Sequence, residues 1–147
     1  MKIDPASPAG ALLVQLGVTP DELRAASFHR WDLQLGGAIT VALPGRRARI
    51  LMRSHYLPTG ADGQLTVGSH LSTVRHELCH VRQLSQWGFL GYWWRHLMAR
   101  IRTRSVLAQD SEEERPCYEA QAQARDELAN LLNAASAPGV PASPAED

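Results

Sequence analysis

The chain has 147 residues, 44% of them hydrophobic and 20% charged, with 15 basic and 15 acidic side chains. That length fits a single domain able to bury a core without staples, and two cysteines, Cys79 and Cys117, make no disulfide framework. A formal net charge of zero gives no ground for a nucleic-acid or membrane partner, and no apolar run reaches the roughly 18–20 residues of a spanning helix.

The first stretch, "MKIDPASPAGALLVQLGV", carries one lysine and an apolar run too interrupted for a signal peptide. A cytoplasmic location is therefore expected, with export by a signal-less route left open. In "VTPDELRAAS" a helix start is written out: Thr19 can cap, Pro20 suits the first turn and Glu22 completes a capping box. The runs "AITVAL" and "RARILMR" flank Pro44-Gly45 and predict a β-hairpin, and "QLTV" after the Gly60/Gly63 loop is a third candidate strand. From Ser69 to Trp87 the pattern is helical; Gly88 and Gly91 loosen it, and a second helical stretch runs from Tyr92 to Arg104. After the polar loop "AQDSEEERP", Pro116 opens a last helix to about Asn133. The Ala/Pro/Ser-rich end, 134–147, reads as a disordered tail. One domain over 1–133, with its core at about 38–133, is expected. Sheet first and helices after make it α+β.

The chemistry concentrates in "RHELCHVRQ". On a helical wheel, Leu71, Val74, Leu78, Val81 and Leu84 form an apolar stripe suited to a sheet. Arg75, Cys79, Arg82 and Gln86 form an expected solvent face. The remaining face carries His76, Glu77 and His80 with Thr73, Gln83 and Trp87. Histidines one turn apart present two imidazoles to one metal, and a carboxylate beside the first can act as a base at an open coordination position. Zn2+ held by neutral imidazoles keeps a water whose pKa falls to about 7. Glu77 can take its proton and return it to a leaving amine.

Two ligands do not make a site. A third histidine in the H-E-x-x-H-x-x-G-x-x-H pattern is missing, since Gln83 and Gln86 stand at that spacing. Glu119, in "RPCYEAQAQ", is the preferred third ligand. It sits on a helix that can aim a carboxylate, at the border of the stripe Ala120, Ala124, Leu128 and Leu131, with small Ala122 one turn on. The run Glu112–Glu114 reads rather as a solvated acidic loop. Cys117 lies about 200° from Glu119 on the wheel, so both cannot face one metal. Cys79 points to the arginine side.

"VRHELCHVRQLSQWGFLGY" followed by "RPCYEAQAQ" resembles the small gluzincin-type zinc metallopeptidases of the zincin superfamily, in which H-E-x-x-H and a downstream glutamate in an E-x-x-A setting hold zinc. The resemblance spans about Ile50 to Ala124. It implies a minimal zincin-like fold, a small twisted sheet packed on a central active-site helix and C-terminal helices. It implies zinc held by His76, His80 and Glu119, Glu77 as general base and acid, Ala122 as the small residue after the ligand, and a peptide or protein substrate taken up in extended form along the sheet edge. Gln123 stands where larger gluzincins carry an aspartate, which leaves the outer hydrogen bond to a zinc-binding imidazole to Asp126 or a backbone carbonyl. His55, Tyr56, Tyr92, His96 and Tyr118 are all open as stabilisers of a developing oxyanion. A second class of function is a non-catalytic scaffold or interaction module in which zinc ties two helices together. A third is a toxin- or regulator-type protease whose partner binds the N-terminal segment or the aromatic connector.

That connector holds Trp87, Phe89, Tyr92, Trp93 and Trp94, which can line a pocket or touch lipid but are expected to pack over the active-site helix. Arg95, Arg100, Arg102 and Arg104 read as a solvated face, and His70 as a surface residue.

Overall fold

The computed structural model describes residues 1–31, 38–42, 44, 47–53, 57, 70–104 and 111–136. The chain begins with α1 (Pro8–Gln15), started by Ser7, whose hydroxyl accepts from the Gly10 amide at 3.1 Å. Then comes α2 (Pro20–Ala25), where the capping box forms as the sequence predicts. Glu22 N–H donates to Thr19 Oγ1 at 3.2 Å, and the Thr19 amide donates to Glu22 Oε2 at 2.8 Å. Together they satisfy two of the donors a helix start leaves open.

Three strands follow: β1 (Ala26–Arg30), β2 (Ala38–Val41) and β3 (Ala48–Met52), in spatial order β1-β3-β2. The expected pair around Pro44 forms as β2 antiparallel to β3, with Ala38 opposite Met52 and Val41 opposite Arg49. β1 was not anticipated. It runs parallel to β3, Ala26 opposite Ala48 and Arg30 opposite Met52. Its buried Ala26 and Phe28 alternate with the more exposed Ser27, His29 and Arg30, a period-two pattern concealed by its start directly at the end of α2. The candidate strand "QLTV" and the tail beyond 136 lie outside the described residues.

Two long helical segments complete the fold, α3 (His70–Thr103) and α4 (Arg115–Ser136). An α+β architecture is thus what the chain adopts. Of the predicted stripe on α3, Leu71, Val74, Leu78 and Val81 are buried and Leu84 is partly so. They share one core with Phe28, Ile50 and Met52 of the sheet and with Leu13, Leu16 and Leu23 of the N-terminal segment.

The expected solvent face of α3 needs correction. Arg75 and Cys79 are buried, and only Gln86 of that set is exposed. The α1–α2 connection lies over this side: Arg75 Nε donates to the Leu16 carbonyl at 3.1 Å, and Arg82 Nε pairs with Glu22 Oε1. The N-terminal segment therefore closes this side of the first half of α3.

α3 is two helices joined at Gly88, whose φ of 68° and ψ of 172° break the spiral. That conformation is open to glycine and strained for any side chain. A Cβ at Gly88 would meet nothing within 4 Å, so a substitution acts through backbone strain alone. Gly88→Ala is expected to destabilise the chain by about 1–3 kcal/mol in denaturant unfolding. A loss below about 0.5 kcal/mol would show the kink is not enforced there.

A candidate metal centre on α3 and the start of α4

One helical turn apart on α3, His76 and His80 are both buried, with ring centroids 5.0 Å apart. The stripe beneath them pins this part of α3 to the sheet, which fixes the direction of both rings. Their Nε2 atoms converge on one carboxylate oxygen, Glu114 Oε2, at 3.6 Å from His76 and 3.4 Å from His80. Two ligands about 2.0–2.1 Å from one tetrahedral zinc are separated by roughly 3.3 Å. Both distances match that separation, and the three ligand atoms lie within 4.8 Å of one another. His76, His80 and Glu114 can hold a metal ion.

The carboxylate brought to the two histidines is Glu114, not the expected Glu119, which sits exposed on α4. The acidic run is no loose solvated loop. Glu114 is the residue before α4, and its carbonyl accepts from the amides of Cys117 at 2.9 Å and Tyr118 at 3.1 Å. Its own amide donates to Ser111 Oγ at 3.2 Å. Next door, Glu113 takes a 2.7 Å bond from Arg102 at the end of α3, and its carbonyl accepts from Gln83 Nε2 at 2.5 Å. These bonds hold a cap residue as firmly as a helix interior would.

His80 Nδ1 faces Gln83 Oε1 at 3.0 Å. A proton on Nδ1 donated to that amide oxygen leaves Nε2 to face the carboxylate, the usual way an outer partner sets the tautomer of a metal-binding imidazole. Gln83 takes the role expected of Asp126, which is exposed. Cys117 Sγ lies 3.6 Å from the same Nδ1, on the side of the ring turned away from the Nε2 cluster, so the thiol is not a ligand here. The second oxygen of Glu114 meets His96 Nδ1 at 3.5 Å. His96 is buried on the second half of α3, with Tyr92 packed on it at 4.3 Å between centroids. Of the five candidates for oxyanion stabilisation, Tyr92, His96 and Tyr118 border the site, the last with its ring 4.6 Å from His76. His55 and Tyr56 lie outside the described residues.

Glu77 points toward the sheet and is buried. Thr40 Oγ1 on β2 donates to its Oε2 at 2.6 Å. Burial pushes the carboxyl of Glu77 above its ordinary range, with Glu114 adding to the rise and His80 and Thr40 opposing it. Around the cluster the charges separate. Burial and the charge on His80 lower His76 to about 4. His80 rises to about 9: burial works against its charge, but the hydrogen bond to Glu114 and the fields of Glu77 and Glu114 prevail. Burial also opposes ionisation of Glu114, and is outweighed by the bonds to His80 and His96, which hold it well below the usual carboxylate range.

A metal must displace whatever proton its ligands carry. At pH 6 the metal-free His80 is charged, His76 neutral and Glu114 ionised. Zinc binding to Glu77→Gln, which removes the other perturbed carboxyl, is expected to release one proton per metal at pH 6. Above about pH 7 a zinc-bound water adds a second proton to the release. The His80 contribution falls away as His80 itself deprotonates, at a lower pH than the about 9 of the intact chain because the variant lacks the field of Glu77. Calorimetry in buffers of different ionisation enthalpy reads this number, and zero or two protons at pH 6 would contradict the arrangement.

Beside His76 and Tyr118 an open groove of about 510 Å³ runs between the start of α3 and α4, lined by Ser72, Thr73, Gln121 and Arg125 among others. No described helix is long and apolar enough to cross a membrane. Compared with protein-family models, with curated proteins and with solved structures, the chain matches none.

Proposed function

We propose that the chain is a zinc-dependent peptidase of the small gluzincin kind, with His76, His80 and Glu114 as the metal ligands and Glu77 as general base and acid. The observation that carries this reading is the convergence of two Nε2 atoms and one carboxylate oxygen at tetrahedral spacing, with a buried carboxyl of raised pKa one residue along the helix. Zinc at this donor set supplies Lewis acidity and lowers the pKa of a water at its open position to about 7.

The chain's own residues supply the rest. Glu77, buried and raised in pKa, suits a group that accepts a proton and delivers it to a leaving amine. Thr40 holds one of its oxygens, so the carboxyl is aimed rather than free to rotate. Because β2 ends the spatial order of the described strands, its outer edge can accept an extended peptide backbone beside Glu77. Tyr92, His96 and Tyr118 surround the cluster with donors suited to a developing oxyanion.

The non-catalytic reading has one observation in its favour: Glu114 already joins three imidazoles from both halves of α3, so a metal there also ties helices together. Peptide hydrolysis by the zinc-loaded chain separates the two. The peptidase reading expects cleavage that a chelator abolishes and zinc restores. A metal-loaded chain that raises the melting temperature and cleaves no peptide in an unbiased mixture would leave only the scaffold.

A further inference from the structure

We propose that the second half of α3 together with the residue after it, 88–104, is a docking surface for an anionic lipid bilayer, lying in the plane of its headgroups. This segment is amphipathic about an axis distinct from that of the first half. Tyr92, His96 and Ala99 are buried against the site. On the opposite side Leu90 is 79% exposed, Trp94 64%, Ile101 59%, Leu97 51% and Trp93 42%. At about 100° per residue these five fall within one sector roughly 100° wide, centred about 145° from the buried three. Exposed apolar side chains gathered on one face, rather than scattered singly, mark an interaction surface.

Charge selects the occupant. The chain as a whole is neutral, yet 88–104 carries Arg95, Arg100, Arg102 and Arg104 and no acidic residue. On the wheel Arg100 borders the stripe beside Trp93, while Arg95 and Arg102 lie about 80–100° beyond Trp94, toward the buried side. Arg95 stacks on the Trp87 ring at 4.9 Å and Arg102 pairs with Glu113, so Arg100 is the helical guanidinium nearest the stripe. Tryptophan and leucine on one face, bordered by arginine, is the pattern of a helix lying at a bilayer surface, with indoles at headgroup level and guanidiniums on lipid phosphates. A second copy of the same face fits less well, since pairing two stripes would oppose arginine to arginine. The segment is not long or apolar enough to span a membrane, so the contact is peripheral. It is independent of whether the metal centre is catalytic.

The test is co-sedimentation of the full chain with vesicles of phosphatidylcholine containing about 30% phosphatidylserine, against vesicles of pure phosphatidylcholine. Expected are binding to the anionic vesicles with a blue shift of tryptophan emission, at least about tenfold weaker binding to the neutral ones, and further weakening by salt. W94E/L97E is expected to reduce anionic binding about tenfold or more, and Arg100→Ala about fivefold, with far-UV circular dichroism unchanged because these side chains are exposed. Failure to bind anionic vesicles, equal binding to neutral ones, or binding untouched in both variants would overturn the proposal. So would a concentration-dependent dimer that W94E/L97E dissolves, which would assign the stripe to a second copy.

Discussion

Glu114→Ala is expected to weaken zinc binding by about 10³-fold or more, and Glu119→Ala to leave it within about twofold. Loss of a partner that merely supports a ligand costs about 10–100-fold, and removal of the ligand itself must exceed that. In Glu114→Ala two imidazoles remain, and the bonds that hold Glu114 Oε1 to His96 and Oε2 to His76 and His80 go together. Glu119 has no part in the cluster, being exposed on α4, so its replacement removes only a first-turn charge. Titration against a chelating dye reads both affinities. The paired design matters: each variant changes one glutamate near the start of α4, so an equal loss in both would report a disturbed helix rather than a lost ligand. Undiminished zinc binding by Glu114→Ala would remove Glu114 from the site.

The second large effect belongs to Glu77. Glu77→Gln is expected to retain zinc within a few-fold and to lower kcat for peptide cleavage by about 10²–10⁴-fold, the usual contribution of a positioned acid-base group. The substitution is nearly isosteric, and the amide oxygen of Gln still accepts the Thr40 hydroxyl that Glu77 Oε2 accepts. What disappears is the capacity to take and return a proton. Steady-state cleavage followed by chromatography of products, with zinc content measured on the same sample, separates loss of chemistry from loss of metal. Full zinc occupancy with unchanged cleavage would exclude Glu77 as the base.

The first half of α3 was legible because its two periodicities agree. The stripe Leu71, Val74, Leu78, Val81 predicts which side meets the sheet, and His76 and His80 then fall on one face by helical geometry alone. The capping box at Thr19 and Glu22 was equally plain, since its hydrogen bonds are local. Non-local facts were not. Arg75 and Arg82 look like solvent residues until the α1–α2 connection, dozens of residues away, supplies the Leu16 carbonyl and Glu22 as partners.

The third ligand failed for a more instructive reason. The stripe of α4 was set through Ala120, Ala124, Leu128 and Leu131, which put Glu119 at its border. The buried face passes instead through Cys117, Ala124 and Leu128, with Gln121 between, while Leu131 is 43% exposed. Carried one step back at the same alternating three-and-four spacing, that face arrives at Glu114. The signal was present, since Cys117 is among the residue types most often buried, and setting the stripe by cysteine rather than by alanine would have pointed to Glu114 as the carboxylate beside the histidines. What no periodicity gives is the rigidity of the acidic segment, which comes from Ser111, Gln83 and Arg102 bonding to it.

The central claim is that His76, His80 and Glu114 share one metal ion. Crystals of the zinc-loaded chain, with diffraction recorded on both sides of the zinc absorption edge, test it most directly. One anomalous peak within about 2.0–2.2 Å of His76 Nε2, His80 Nε2 and a Glu114 carboxylate oxygen is the expected result. A peak bound by Glu119 or Cys117, or none between the two imidazoles at full zinc occupancy, would contradict it.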